Sequence, residues 1–298
     1  MQNQTRRKPH DRKPHAPQRP LNREAIKAIA ILTMTLNLLS QALLTPGTAL
    51  STALTDIGHF TAIAMIWFLC EGFDYTHDRR AYGGRLLLFG VLSQLPFSLA
   101  MSRGRSLFLA GDLNMMFSHC LCFCLLELLS YPLSRGTRAA GIAAVFLTSL
   151  FCDWFFLAPA YTLLFYRGRR EHPGGGFGSA TDMRALTAWL PALLLQPAWD
   201  ITSGLLSAAA RSGDAIGTGS GAAGFSALCN PTGLPFLGSL LLQTFFSALP
   251  QAAAMICIVF LYNGKRAARG RSFSKWFFYV YYPAHLLAIG LAARLLLR

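Results

Sequence analysis

The sequence predicts an all-α fold, a polytopic transmembrane helical bundle of about eight to ten spans with a cytoplasmic N-terminus. Hydrophobic residues make up 53% of the 298 residues and charged residues 13%, too few to cover a soluble globule of this length. The apolar residues form runs long enough to cross a bilayer. The 27 Lys and Arg gather in short clusters between those runs, as in cytoplasmic loops.

Most of the apolar runs are predicted to form single spans. These are Ala25–Leu44, Asp56–Tyr75, Tyr82–Met101, Leu113–Tyr131, Arg184–Ala208, Gly233–Leu261 and Lys275–Leu297. A further run, 139–166, exceeds one span and carries Asp153 and Pro159 near its middle, where a helix could break. Two short crossings there keep more Lys and Arg on the cytoplasmic side than one does, which predicts about nine crossings. A re-entrant hairpin would give the same sidedness.

The chain divides into a basic leader and a membrane domain. Residues 1–20 are rich in Pro and Arg with almost no apolar content, which predicts a disordered cytoplasmic tail. Residues 21–298 form one integral membrane domain. The net charge of +14 would suit nucleic acid, but basic clusters between apolar runs are typical of loops that face anionic lipid. The lipid bilayer is therefore the predicted partner, and no nucleic acid is expected.

The seven cysteines lie in or next to apolar runs, so they do not predict the disulfides of a secreted domain. Cys120, Cys122 and Cys124 raise the question of a metal site. Alternate positions on a helix point about 200° apart, so three such thiols cannot converge on one ion. We interpret them as small buried apolar groups and predict no metal.

Polar side chains within the spans indicate candidate sites, because each needs a partner inside the bundle. In the first span Thr33, Asn37 and Gln41 share one helix face. This stripe predicts either a substrate-lining role for Asn37 or ordinary hydrogen bonds between helices. In the fourth span His119 and Glu127 lie nearly on one face, so Glu127 is a candidate partner of His119.

The last span carries a second candidate histidine. Tyr281 and Tyr282 precede His285, and Pro283 leaves a backbone carbonyl of the preceding turn without its donor. His285 and His119 are each candidate catalytic or substrate-orienting groups. The open alternative is that both are packing histidines with satisfied hydrogen bonds.

Charged groups gather where the second span ends and the third begins. Glu71, Asp74 and His77 precede Arg85 there, at the predicted cytoplasmic mouth of the bundle. A water-filled cavity between these groups could admit a soluble anionic cosubstrate. The alternative is that the charges only cap two helix ends.

Several motifs together resemble one known family. The second span contains DIGHFT at 56–61 and FLCEGF at 68–73, the third SQLPF at 93–97, and the fourth NMMF at 114–117. Near the end stand YNGKR at 262–266 and KWFFYVYYPAHL at 275–286. These motifs resemble the TraX family, named for a conjugal-transfer protein, from about residue 21 to the C-terminus.

The resemblance implies a multi-pass protein of the bacterial cytoplasmic (inner) membrane. The family's founding member acetylates the N-terminus of a pilin subunit, and the family is distantly similar to multi-span membrane acyltransferases. For this chain it implies acetyl-CoA as cosubstrate, with pilin or another amine or hydroxyl as acyl acceptor. The implied cofactor-binding residues are Arg85, His77 and Asp74, and the implied substrate-lining residues are Asn37, Tyr281 and Tyr282. The implied catalytic residues are His285, His119 and Glu71. Of these, His285 is the first choice as general base, and Glu71 orients the site.

One departure from the family bears on activity. The first helix of the family typically carries Asp-His where this chain has Asn37-Leu38. If that histidine is the general base, His119 or His285 replaces it here, or the chain has kept the fold and lost the chemistry. The alternative function is a non-catalytic membrane protein, either an assembly partner of pili or conjugation, or a small-solute permease.

Overall fold

The computed structural model describes residues 20–107, 113–171, 183–216, 233–265 and 271–297. The predicted disordered tail therefore lies almost wholly outside the described residues. The helices are α1 (Arg23–Leu43), α2 (Ala49–Asp56), α3 (Gly58–Tyr75), α4 (Arg79–Met101), α5 (Met115–Ser130), α6 (Arg135–Ser149), α7 (Leu157–Glu171), α8 (Met183–Ile216), α9 (Gly233–Ile256) and α10 (Arg271–Leu296). A π-helical turn, Cys257–Leu261, continues α9.

Five helical segments of this part of the chain are long and apolar enough to cross a membrane. They are Arg23–Leu43, the α2 and α3 pair Ala49–Tyr75, Arg79–Met101, Phe236–Leu261 and Trp276–Leu296. The predicted all-α polytopic bundle is therefore confirmed, and the protein is a multi-pass membrane protein. α8 continues to Ile216, beyond the predicted end at Ala208, because the following Ala-rich residues favour helix.

Side-chain caps fix where many of these helices begin. A side-chain oxygen before the helix accepts a hydrogen bond from a backbone N–H of the first turn, which would otherwise lack a partner. The capping residues are Asn22, Thr48, Asp78, Asn114 and Ser134. Since a cap acts outside the apolar run, the helices begin at different residues from those that hydropathy predicts.

The centre of the bundle is α3, which is apolar around most of its circumference. It packs against α1, α5, α7 and α9. Ile63, Ile66 and Trp67 are among its fully enclosed side chains. A helix that is apolar on every side belongs in the interior of a bundle. Each polar group of α3 is therefore either paired inside the protein or exposed at an end of the helix.

The second span begins earlier than its apolar run predicts. α2 starts at Ala49 and is followed by α3 after a break at Ile57, instead of one helix from Asp56. α2 lies against α1, where Asn37 Nδ2 donates to the Thr55 carbonyl over 2.6 Å. At Gly58 an added Cβ would lie 2.5 Å from that Asn37 amide, so the close approach requires glycine. The polar stripe of α1 thus bonds to neighbouring helices.

The ambiguous run 139–166 forms two short helices. α6 and α7 each have 15 residues and are about 22 Å long, less than the ~30 Å hydrocarbon core. Between them Trp154 and Phe156 both have φ of 59°, a left-handed conformation that breaks the helix. The junction backbone is satisfied by Leu113, whose N–H donates to Phe151 and whose carbonyl accepts from Asp153.

The junction between α6 and α7 lies beside the middle of neighbouring helices. The Trp154 ring is 5.9 Å from that of His59, near the middle of the Ala49–Tyr75 span. The Phe156 ring stacks on Trp199, near the middle of α8, at 5.6 Å. At the other end of the pair, Arg169 binds Asp74 at the end of α3. The contacts favour a re-entrant hairpin over two full crossings.

Three side chains join α1, α3 and the end of α9 at the end of the bundle where α3 terminates. Tyr262 Oη donates to Glu71 Oε1 over 2.8 Å, and Arg23 Nε lies 3.6 Å from Glu71 Oε2. Backbone hydrogen bonds continue the contact, since Leu21 N–H donates to Leu261 and Asn263 N–H donates to Leu21. We call Arg23, Glu71 and Tyr262 the inner latch.

Single cysteines placed in a cysteine-free variant test the sidedness of these ends. Because basic loops are retained in the cytoplasm, we expect Arg79→Cys and Arg170→Cys to react with a membrane-impermeant maleimide only after cells are opened. Ala49→Cys should react in intact cells. Labelling of Arg170→Cys from outside would reject both the hairpin and the double crossing.

The inner latch should contribute substantially to stability. Glu71→Ala leaves Arg23 without its buried partner, and we expect unfolding in detergent to become easier by about 3 kcal/mol. Asp74→Ala is the matched control, because the Asp74 carboxylate is 40% exposed and its pair with Arg169 should be worth about 1 kcal/mol or less. Equal losses of thermal stability in the two variants would contradict a structural role for the latch.

Candidate functional site

A cavity of about 510 Å³ opens at the end of the bundle where α3 terminates. α1, α3, α4, α5 and α10 all contribute side chains to its lining. Tyr75, Thr76 and His77 line the rim, directly after the last turns of α3. By the charge distribution this rim is on the predicted cytoplasmic side. The cavity is therefore in the region where the sequence predicts a cytoplasmic mouth.

The lining of the cavity is cationic. Arg23, Lys27 and Arg85 line it, with Glu24 the carboxylate among the lining residues. Lys27 Nζ lies 4.4 Å from the centroid of the Phe278 ring, a cation–π contact that holds the amine at the cavity wall. Arg85 Nε is buried without a hydrogen-bond partner. A positive concave surface with an unused guanidinium donor suits a polyanionic ligand such as a phosphate ester.

His119 of α5 also lines the cavity, with only 7% of its surface exposed. Its Nδ1 lies 2.7 Å from the Met115 carbonyl oxygen. Since a carbonyl only accepts, this hydrogen bond assigns the proton to Nδ1 and leaves a lone pair on Nε2 when the ring is neutral. Nε2 is buried and has no hydrogen-bond partner. A ring held in this way can accept a proton from a bound molecule.

The remaining lining is largely apolar. It includes Met65, Phe68 and Leu69 of α3, Leu86 of α4 and Met116 of α5. Apolar walls with a few polar groups are typical of small-molecule sites, where the polar groups fix orientation. The cavity thus combines cations, an apolar wall and one histidine with a free acceptor nitrogen.

Both carboxylates of the predicted mouth, Glu71 and Asp74, are paired with arginine side chains. Glu71 is 3% exposed and belongs to the inner latch, where it holds Arg23 at the cavity. Asp74 is outside the cavity lining, and its carboxylate lies 2.7 Å from Arg169 Nη2 of α7. Of the predicted cofactor-binding residues, Arg85 and His77 line the cavity and Asp74 does not.

Glu127 does not join His119. Its Oε2 lies 3.5 Å from Arg79 Nη1 at the end of α4. The two-turn spacing on one helix face was the reason to expect a partnership. Eight residues separate the two Cα atoms by about 12 Å along α5, and His119 bonds within α5 while Glu127 pairs with Arg79 of α4.

The histidine of the last span is outside the cavity lining, as are Tyr281, Tyr282 and Asn37. His285 Nδ1 lies 2.8 Å from the Tyr281 carbonyl, and its ring stacks on that of Tyr281 at 4.7 Å. Tyr281 Oη is 2.9 Å from Thr35 Oγ1 of α1. Tyr282 packs in an apolar cluster with Leu38 and Leu286. These contacts connect α10 to α1.

The sequence reading missed two cations of the cavity, Arg23 and Lys27. They are four residues apart at the start of α1 and so share a helix face. That spacing is visible in the sequence, but basic residues next to the leader are not distinguishable there from charges that face anionic lipid. Phe278 and Tyr279 were also missed, since no local pattern distinguishes them from lipid-facing aromatic residues.

The three cysteines of α5 face different surroundings. Cys122 is buried, Cys120 is half-buried and Cys124 is exposed. This follows from the direction of alternate positions on a helix. Across the described part of the chain, no group of three His, Cys, Asp or Glu side chains is arranged to hold a metal ion.

Comparisons with known proteins match the first half of the chain. Residues 22–167 match the family model described as TraX protein. The probable fimbrial assembly protein FimC, serogroup H1, of Dichelobacter nodosus is 30% identical over 145 residues, which cover 47% of this chain and 59% of that protein. The match thus spans less than two thirds of that relative. No solved structure matches the chain.

The matched range contains nearly the whole cavity. All lining residues except Phe278 and Tyr279 fall within it, including both Arg85 and His119. Over residues 22–167 this chain is therefore similar to the TraX family, and the resemblance predicted from the sequence motifs is confirmed over that range.

Proposed function

We propose that this protein is a membrane acyltransferase that moves an acetyl group from acetyl-CoA to an amine or hydroxyl acceptor. One observation carries the proposal: a cavity of about 510 Å³ combines a cationic lining with a histidine whose Nε2 is free to accept a proton. Coenzyme A is polyanionic, which suits the cationic lining, and its pantetheine arm is narrow and uncharged. The proposed setting is the bacterial inner membrane, with the cavity open to the cytoplasm.

The cations have separate tasks in this proposal. Arg85 and Lys27 bind the phosphates, with His77 at the rim, and Arg85 contributes the buried Nε that lacks a partner. Arg23 adds charge while bound to Glu71. Glu71 is therefore a positioning residue in the proposed site. Asp74 has no direct role, because its carboxylate is held by Arg169.

His119 is the proposed general base. Its Nε2 takes the proton from the accepting amine or hydroxyl as that atom bonds to the acetyl carbonyl carbon. The carbon–sulfur bond of the thioester then breaks, and the imidazolium returns its proton to the departing thiolate. The Met115 carbonyl holds Nδ1–H throughout, so the ring keeps one orientation. His285 was the first choice from the sequence, but it lies outside the cavity lining.

The second candidate function is non-catalytic. Leu38 stands where the family typically has histidine, and it packs in an apolar cluster with Tyr282. The relative from Dichelobacter nodosus is named for fimbrial assembly. By this alternative the chain is an assembly partner of pili, or a small-solute permease, that keeps the fold without the transfer reaction. The acceptor in the first proposal could equally be a pilin.

Purified protein with labelled acetyl-CoA and a panel of peptide and sugar acceptors tests the two functions. Transfer of label to any acceptor, dependent on the protein, supports the acyltransferase. Binding of coenzyme A without transfer to peptides or sugars supports the non-catalytic alternative.

Arg85→Ala should weaken binding of coenzyme A by about 10- to 100-fold, since a charged hydrogen bond contributes roughly 1.5–3 kcal/mol. Calorimetric titration measures the loss. Arg105→Ala is the matched control, because Arg105 is exposed between α4 and α5 and outside the cavity lining. Arg103 is unsuitable, as its guanidinium binds the Ala42 and Leu44 carbonyls. If both variants bind coenzyme A as tightly as wild type, the charges at the mouth only cap helix ends and do not form a cofactor site.

His119→Gln should reduce acetyl transfer by about 10² to 10⁴, the usual value of a positioned base. His285→Gln should remain close to wild type, because that ring is outside the cavity lining. Initial rates at matched expression, with coenzyme A binding measured in parallel, separate lost catalysis from lost folding. A large loss in His285→Gln with none in His119→Gln would reverse the assignment.

Leu38→His, made alone and with His119→Gln, tests the departure from the family. If acetyl transfer is detected only in variants with histidine at position 38, the natural protein is a degenerate relative. That result would support the non-catalytic function. Full activity of all variants would show that none of these histidines is the base.

A further inference from the structure

A second polar cluster lies near the middle of the bundle, between α2, α3, α8 and α9. It consists of Asp56, His59, Gln196, Asp200 and Ser247, and we call it the mid-membrane cluster. None of these residues lines the cationic cavity. Ionisable side chains at membrane depth are costly, so their presence points to a function or to a tightly satisfied network. The two explanations differ in whether hydrogen-bonding atoms are left over.

Asp200 organises the cluster. Its Oδ1 accepts from Gln196 Nε2 over 2.9 Å, and its Oδ2 accepts from Ser247 Oγ over 2.5 Å. His59 Nδ1 lies 3.0 Å from the Ser247 carbonyl, which assigns the Nδ1 proton and leaves Nε2 as an acceptor. Asp56 interacts electrostatically with both His59 and Asp200. These hydrogen bonds use one N–H of Gln196, the Ser247 hydroxyl and the Nδ1–H of His59, whereas Nε2 of His59 is an acceptor.

Two buried oxygens, one in the cluster and one beside it, have no hydrogen-bond partner. Gln196 is 4% exposed, and its amide donates to Asp200 while Oε1 makes no hydrogen bond. Thr244 is 5% exposed, stands one turn before Ser247 on α9, and its Oγ1 is likewise unpartnered. Leaving such an atom unsatisfied costs about 1–3 kcal/mol. A bound hydrogen-bond donor would therefore satisfy the buried oxygens of Gln196 and Thr244.

The charge of the cluster is negative. Within the described residues neither Asp56 nor Asp200 forms an ion pair with Lys or Arg. Both carboxylates and His59 are partly exposed at the protein surface. A ligand that fits must bring positive charge and several donors together. A protonated amine meets both needs, since an alkylammonium group carries a positive charge and three N–H donors.

We propose that the mid-membrane cluster is a binding site for a protonated amine, either ammonium itself or the amino group of a larger solute. Asp200 and Asp56 supply the countercharge, and Gln196 Oε1 and Thr244 Oγ1 accept the remaining hydrogen bonds. The site is on a different face of α3 from the cavity and does not depend on acyl transfer.

Thermal stability and calorimetric binding in detergent test the site on the full chain. The probes are ammonium, methylammonium and glycinamide chlorides, with sodium chloride at equal ionic strength as the reference. Wild type should bind an amine and be stabilised by it more than by sodium. A preference for glycinamide over ammonium would identify a tethered amino group as the ligand.

Asp200→Asn should weaken amine binding by at least about tenfold, because it removes the countercharge. Glu127→Gln is the control, as that carboxylate is paired with Arg79 outside the cluster. Should Asp200→Asn fail to fold, Gln196→Met keeps the shape of the side chain, removes the orphan oxygen and should still weaken binding.

Three results would overturn the proposal. One is stabilisation by sodium equal to that by each amine. Another is unchanged amine binding in both cluster variants. The third is absence of amine binding by folded wild type, which would make the cluster a structural network only. None of these outcomes depends on activity with acetyl-CoA. The amine site can therefore be disproved without affecting the proposed acyltransferase function.

Discussion

One buried carboxylate organises the end of this bundle where α3 terminates. Glu71 lies on α3, a helix that is apolar on nearly every side, and is 3% exposed. An isolated carboxylate in such surroundings is highly unfavourable, so its partners are obligatory. Tyr262 and Arg23 provide them, which brings the end of α9 and the start of α1 against α3. The position of Arg23 at the cavity follows from that requirement.

The bundle separates two polar regions of opposite charge around the same central helix. One face of α3 borders the cavity with its Arg and Lys side chains, and another borders the cluster of Asp56, His59 and Asp200. The acidic cluster lies beside backbone that departs from straight helix, because Asp56 ends α2 at the α2 and α3 break and the His59 ring contacts Trp154 of the α6 and α7 junction. Irregular backbone is tolerated at membrane depth where it is enclosed by protein. These breaks therefore make room for polar groups that uninterrupted spans would exclude.

Hydropathy and charge predicted much of this architecture, because the bilayer imposes a simple rule on length and composition. The spans at α1, α3, α4, α9 and α10 were found within a few residues. The break between α6 and α7 was expected from Asp153 and Pro159, although the residues that break it are Trp154 and Phe156. Left-handed backbone at an aromatic residue has no signature in composition, so its position could not be predicted.

The candidate site was harder to predict, since a cavity is assembled by helices distant in sequence. Arg85, His77 and His119 were named from local patterns and do line one cavity. Asp74 and Glu127 were assigned to sites but bind Arg169 and Arg79, because long cationic side chains reach across from other helices. Such tertiary partners outweigh spacing along one helix and are not visible in a single sequence.

The short α6 and α7 hairpin has a consequence for the surrounding lipid. Leu150, Phe151 and Phe155 are largely exposed at its turn, about 22 Å from the opposite ends of the helices. A re-entrant hairpin of this length would leave acyl chains to fill the space beyond the turn. The fit between the hairpin and the bilayer would then depend on acyl-chain length, with thinner bilayers leaving less space to fill.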